Sequence, residues 1–119
     1  MKALVVATLC SAVLLVGSCG GGSAEVQGTK VTMTEYKFQP KDISVGSGKV
    51  TFTLVNSGTT SHDMTVADSG GKIIAKSEVV QAGDSKVFTI DNLPAGKYQI
   101  YCDLPGHKDS GMVGSLTAT

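Results

Sequence analysis

From Lys30 onward, apolar and polar positions alternate with a period of two, in short runs broken by turn residues. "KVTMTEYKF" (Lys30–Phe38) puts Val31, Met33 and Glu35 on one parity, and Thr32, Thr34, Tyr36 and Phe38 on the other. "VTFTLV" (Val50–Val55) sets Val50, Phe52 and Leu54 on one face against threonines. "KVFTID" (Lys86–Asp91) and "KYQIYC" (Lys97–Cys102) follow the same rule, and "MVGSLTAT" closes the chain. Thr, Val, Ile, Tyr and Phe dominate these runs, as pleated and half-buried surfaces require. Between them lie "VGSGK" (Val45–Lys49), "NSGTTS" (Asn56–Ser61), "DSGGK" (Asp68–Lys72), "QAGDS" (Gln81–Ser85) and "NLPAGK" (Asn92–Lys97), each with the Gly or Pro that reverses a chain. "KIIAKSEVV" (Lys72–Val80) is ambiguous in period, but its Ile, Val and flanking turns favour a strand. Strands at this spacing predict an all-β Greek-key sandwich or barrel.

The first residues break the pattern. "MKALVVATLCSAVLLVGSC" (Met1–Cys19) has one Lys, an apolar run from Ala3 to Val16, then small residues. That is the plan of an export signal, with an apolar stretch short for a membrane span. A permanent transmembrane anchor is the alternative. "VGSC" resembles a bacterial lipobox, so residues 1–18 are expected to be removed and Cys19 to carry lipid. The protein would then sit lipid-anchored on the periplasmic or other extracytoplasmic face of a membrane. Residues 19–29, Gly/Ser-rich at their start, read as a flexible tether with a reach of about 15–20 Å. The folded domain is expected over 30–119.

Of the three cysteines, Cys10 is expected to leave with the signal, and on the lipobox reading Cys19 is committed to lipid. Cys102 is then a lone thiol in an exported protein, which needs an explanation. A Cys19–Cys102 disulfide is the alternative. After Cys19 there are nine lysines, no arginine and ten acidic residues, a net charge near −1. Nucleic acid as a partner is excluded for want of a basic face.

The chemistry concentrates in "YCDLPGHKDSGMVG" (Tyr101–Gly114), where Cys102, His107 and Met112 each lie five residues apart. Tyr98, Ile100 and Cys102 share a strand parity, so Cys102 should point inward as its strand ends. Pro105, Gly106 and Gly111 let the following loop return over it. The only other histidine, His62, opens "HDMTVAD", and shares a parity with Met64 and Val66 at the start of a strand. Alone, each of the four is an ordinary core or loop residue; Met33 and Met64 read as core and Lys108 and Asp109 as solvated charges. Together, His62, Cys102, His107 and Met112 form a donor set of two imidazoles, a thiolate and a thioether. Calcium and magnesium prefer oxygen, and structural zinc takes more cysteines. Two His and one Cys with a weak axial Met describe a mononuclear blue-copper centre, holding one Cu(II)/Cu(I) ion.

These residues, with "SHD" around His62 and "LPAGKYQIYC" leading into the loop, resemble the cupredoxins, the small blue-copper proteins. The C-x4-H-x4-M spacing is similar to that of auracyanin-like members. The resemblance implies a packing-corner role for Tyr98. It also marks Asp63 as a departure, because many members carry there an Asn that ties the ligand loops together.

With all four ligand positions filled, no substrate can reach the metal, so an electron carrier is expected rather than an enzyme. His107 would be the partly exposed port, with Leu104, Pro105 and Gly106 as a small apolar patch. Encounters should be brief and the interface under about 1,200 Å². The chain is expected to act as a monomer. Its redox partners, by the resemblance, would be cytochromes or a terminal oxidase. Copper storage or delivery is the alternative function, and a metal-free β-sandwich binding a protein or sugar is a third.

Overall fold

The computed structural model describes residues 26–119. Nine strands and no helix make up this part: β1 (Thr29–Thr34), β2 (Lys37–Gln39), β3 (Asp42–Val45), β4 (Gly48–Asn56), β5 (Thr65–Ala67), β6 (Ile73–Lys76), β7 (Ser85–Leu93), β8 (Gly96–Tyr101) and β9 (Val113–Ala118). They form two sheets, ordered β2-β1-β4-β7 and β3-β9-β8-β5-β6. The chain crosses between sheets after β2, β3, β4, β6, β7 and the loops around them, so strands adjacent in sequence are often split between layers. β1 runs parallel to β4 and β3 parallel to β9; the other pairs are antiparallel. The fold class expected from the alternation is the one observed.

The alternating apolar residues face one another between the sheets. Val31 and Met33 of β1, Phe52 and Leu54 of β4, Ile100 of β8 and Leu116 of β9 are all buried in a single core. Each contributes about 1.5–3 kcal/mol by leaving water. Phe52 and Phe88, paired across β4 and β7, stack with ring centroids 6.0 Å apart. Tyr98 is half-buried against the core, and its hydroxyl donates to the Pro94 carbonyl at 2.6 Å, pinning the turn into β8.

Several boundaries differ from expectation. Lys30–Phe38 is not one strand. It folds back at Glu35–Tyr36, with Thr34 paired to Lys37, and Tyr36 adopts φ 60°. A tyrosine pays on the order of 1 kcal/mol for that left-handed backbone. The strand expected over Lys72–Val80 is confined to β6, because the backbone of Ser77 turns to bond Met64 and that of Val80 bonds His62. β3 was not visible in the pattern; its single buried residue, Ile43, leaves no alternation to detect. The export signal, Cys19 and most of the tether lie outside the described residues. Gln27, assigned to the tether, exchanges two hydrogen bonds with Thr53 of β4 (2.8 and 2.9 Å), so residues 27–29 belong to the fold.

Gly114 lies where β9 passes between β8 and the backbone before β3. A Cβ there would collide with the Lys41 carbonyl and press on Ile100. Gly114→Ala is expected to lower unfolding free energy by about 1–3 kcal/mol, read by urea denaturation; an unchanged midpoint would contradict this packing.

Candidate metal centre

Cys102 follows β8 directly and is fully buried. The loop after it closes on itself through backbone bonds. The His107 carbonyl accepts from Ser110 N–H (3.2 Å) and Met112 N–H (3.1 Å), and the Met112 carbonyl accepts from Cys102 N–H (3.2 Å). Cys102, His107 and Met112 are thus tied to one another before any side chain is considered. Gly106 and Gly111, both at positive φ, supply the reversals.

His62 comes from the other side. It is expected at the start of a strand, but it forms an isolated bridge with Val80, by N–H to carbonyl bonds of 3.1 and 2.8 Å. β5 begins only at Thr65. Parity is no guide here, because every residue from His62 to Ala67 is buried, polar ones included. Asn56 fixes the approach to His62: its side chain donates to the carbonyls of Thr60 (2.8 Å) and Val80 (2.9 Å) and accepts from Gly58 N–H (2.9 Å).

The three donors meet. His62 Nδ1 lies 3.2 Å from His107 Nδ1, which lies 3.4 Å from Cys102 Sγ, and all three atoms are within 4.8 Å of one another. Such spacings suit ligands that share one cation at roughly 2.0–2.3 Å. The set contains sulfur and imidazole and no carboxylate oxygen, which fits a soft or borderline ion such as copper. His62 and Cys102 are wholly buried, while His107 is part-exposed. Met112, the fourth expected donor, is fully buried in the same core cluster as Cys102.

Burial, with His107 beside it, holds the His62 imidazole below its ordinary pKa. Burial pushes the Cys102 thiol up, against the N–H groups of Asp63 and Leu104, which favour thiolate. The pocket therefore presents a neutral imidazole and a thiol, and a cation is what would draw out the thiolate.

Asp63 joins the two halves. Its N–H donates to Cys102 Sγ (3.4 Å), and its Oδ1 accepts from Asp103 N–H (2.8 Å). A carboxylate thus ties the ligand segments together where the resemblance led one to expect an Asn. Its Oδ2 is buried without a hydrogen bond, 3.8 Å from Lys76 Nζ, which itself bonds Asp103 at 2.9 Å. Lys108, expected as a solvated charge, is exposed but rests its ammonium 4.1 Å over the Tyr101 ring.

Two residues in contact with the histidines were missed as site residues. Glu35 Oε1 lies 3.6 Å from His62 Nε2, and the Tyr36 ring meets His107 edge-on at 5.4 Å. Both sit in the turn between β1 and β2, where the alternation predicts continuous strand. The only sequence signal for it was a charged residue on the buried parity.

A family model described as a cupredoxin-like domain matches residues 3–118. The chain belongs to the cupredoxin-like family. Its fold is similar to that of a reduced auracyanin from Roseiflexus castenholzii (TM-score 0.69, 21% identity, covering 77% of this chain and 96% of that one). It is similar also to auracyanin A, a "blue" copper protein from Chloroflexus aurantiacus (TM-score 0.64, 21% identity, 76% and 99% covered). A purple cupredoxin from Nitrosopumilus maritimus aligns with TM-score 0.58 at 22% identity, over 76% of this chain and 99% of that one. No curated protein sequence matches the chain. At these identities the structural likeness establishes the cupredoxin fold, and the site's chemistry rests on its own residues.

The Asp63 bridge generates a prediction. Asp63→Ala leaves the Asp103 N–H without an acceptor and should cost this cupredoxin about 1–3 kcal/mol. Asp63→Asn keeps that acceptor and should cost clearly less. Equal losses in chemical denaturation would remove the bridge from the account.

Proposed function

We propose that this cupredoxin is a one-electron carrier with a single type 1 copper site held by His62, Cys102, His107 and Met112. The observation that carries the reading is the convergence of His62 Nδ1, His107 Nδ1 and Cys102 Sγ within 4.8 Å at the mouth of the loop after β8. A bound copper ion supplies the Cu(II)/Cu(I) couple. Cys102 provides the thiolate, and the two imidazoles provide the nitrogen donors. Met112 would supply the thioether, a weaker fourth donor. Its burial beside Cys102 and the Met112 carbonyl bond to Cys102 N–H support that role.

The chain's own residues favour transfer of electrons over transfer of metal. Cys102 and His62 are wholly buried and held by backbone bonds, so releasing an ion would require opening the seam between 62–63 and 102–103. That arrangement also keeps the donors in one geometry whichever charge they face, which keeps reorganisation small. His107 is the part-exposed donor and serves as the port. Beside it Leu104 is half-buried and Pro105 and Gly106 are exposed, a patch suited to brief encounters with a redox protein. No site for an organic substrate is needed, and the protein is read as a carrier without catalytic activity of its own. Lipid on Cys19 would hold it at the outer face of a membrane and raise the effective concentration of partners there. Cytochromes or a terminal oxidase are the partners proposed.

The test is an optical and electron-spin spectrum of the purified protein with one equivalent of copper. An intense blue band that bleaches on reduction and returns on oxidation is expected, and Cys102→Ala should abolish it. Met112→Leu should keep the colour and raise the potential by on the order of one 59 mV step, a tenfold change in a one-electron equilibrium. Cys19→Ser should move the protein from the membrane to the soluble fraction. A colourless wild-type protein, or copper that passes to an acceptor without redox cycling, would overturn the carrier reading.

A further inference from the structure

We propose that the turn at Glu35–Tyr36 is a two-pronged clamp on the imidazoles, Glu35 orienting His62 and Tyr36 bracing His107. The proposal deepens the copper-carrier reading and rests on it for its purpose. Neither residue lies on an element that carries a metal donor. The turn joins β1 to β2 in the four-stranded sheet. His62 lies between β4 and β5, and His107 lies in the loop between β8 and β9. Yet consecutive residues of one tight turn reach both rings.

The Glu35 prong is built from several contacts. Its Oε1 accepts the N–H groups of Thr59 (2.5 Å) and Thr60 (3.1 Å), which fasten the carboxylate to the loop leading into His62. Those two amides fix where the carboxylate sits beside His62. Gly58 leaves room for it: a Cβ there would strike the carboxylate. From this position Oε1 stands 3.6 Å from His62 Nε2, and Thr60 Oγ1 stands 3.5 Å from the same nitrogen. An anionic acceptor facing Nε2 favours the proton there and leaves the Nδ1 lone pair to face His107 and Cys102. A negative charge at this distance also stabilises the more positive state of whatever the imidazole binds.

The Tyr36 prong is held by the backbone of the turn. Tyr36 is the one described non-glycine residue with positive φ, at 60°. The residue is 42% exposed, so burial does not account for its presence there. What it does contact is His107, edge-on, with centroids 5.4 Å apart and planes at 86°. The tight turn between Thr34 and Lys37 sets this backbone, and the same turn brings the ring against His107. His107 has a neighbouring ring on one side in His62, at 5.0 Å, and in Tyr36 at 5.4 Å. Remove Tyr36 and the His107 ring keeps only its contacts with His62 and Cys102.

The experiment reads the metal-free protein first, by long-range proton–nitrogen NMR of the histidine rings at neutral pH. Wild type is expected to show His62 as a single Nε2–H tautomer. Glu35→Ala should produce a several-fold gain in the Nδ1–H form, and Glu35→Gln, which keeps an acceptor, should restore most of the wild-type signature. If Glu35→Ala does not fold, Glu35→Gln decides through the copper-loaded protein, whose reduction potential should rise because a negative charge has gone. Tyr36→Gly suits the left-handed backbone, so thermal stability should hold or rise while the His107 ring loses order in nitrogen relaxation. Tyr36→Phe should keep that order. An unchanged His62 tautomer in Glu35→Ala, an unchanged potential in Glu35→Gln, or a His107 ring equally ordered in Tyr36→Gly would overturn the clamp. Failure of the carrier reading would show separately, as wild-type protein that takes up no copper while the metal-free ring signatures stand.

Discussion

The site depends on a seam where two distant stretches of chain, residues 62–63 and 102–103, are locked side by side. Asp63 makes the lock twice over, through its amide to the Cys102 sulfur and through its carboxylate to the Asp103 amide. Each bond is modest in net terms, but the first is buried and the second part-buried, where an unmet donor costs more than a met one returns. One imidazole and the thiol cannot drift apart without breaking both. The sandwich exists on either side of this seam to hold it: β8 brings the cysteine to the edge of the core, and the bridge between His62 and Val80 holds the histidine against it.

The remaining donors are placed by the loop's own bonding. His107, Met112 and Cys102 are linked carbonyl to amide, so the loop behaves as a small closed unit set on the end of β8 and β9. This gives the site an asymmetry that a carrier can use. Three of the four side chains are buried, and one ring, His107, reaches toward solvent. Rigid donors and a single exposed edge answer the two needs of electron transfer, little rearrangement and short reach. The turn at Glu35–Tyr36 adds contacts from the opposite sheet to both rings, so that neither layer of the sandwich alone defines the pocket.

Much of this was legible in the chain. The period of two gave the β architecture because one face of each long strand is buried, as in β4 and β7. The even spacing of Cys102, His107 and Met112 was legible because one short loop carries all three. Contacts that depend on register across sheets were not. Glu35 and Tyr36 sit on alternating parity, and nothing local announces a hairpin whose turn contains neither Gly nor Asn. Asn56 reads as an ordinary turn residue, yet it anchors the loop before His62. β3 gains its place by pairing with β9, Asp42 opposite Ser115, 73 residues along the chain. Asp63 could be flagged as a departure from the family's habit, but only the fold shows its amide on the sulfur.

The central claim is that three donors from two distant segments share one ion and keep their places through a change in its charge. X-ray absorption of the copper-loaded protein in both oxidation states tests this most directly. The account predicts one sulfur and two nitrogen neighbours at short range in each state, with distances nearly unchanged between them. A shell without the thiolate sulfur, or one that loses a nitrogen on reduction, would contradict it.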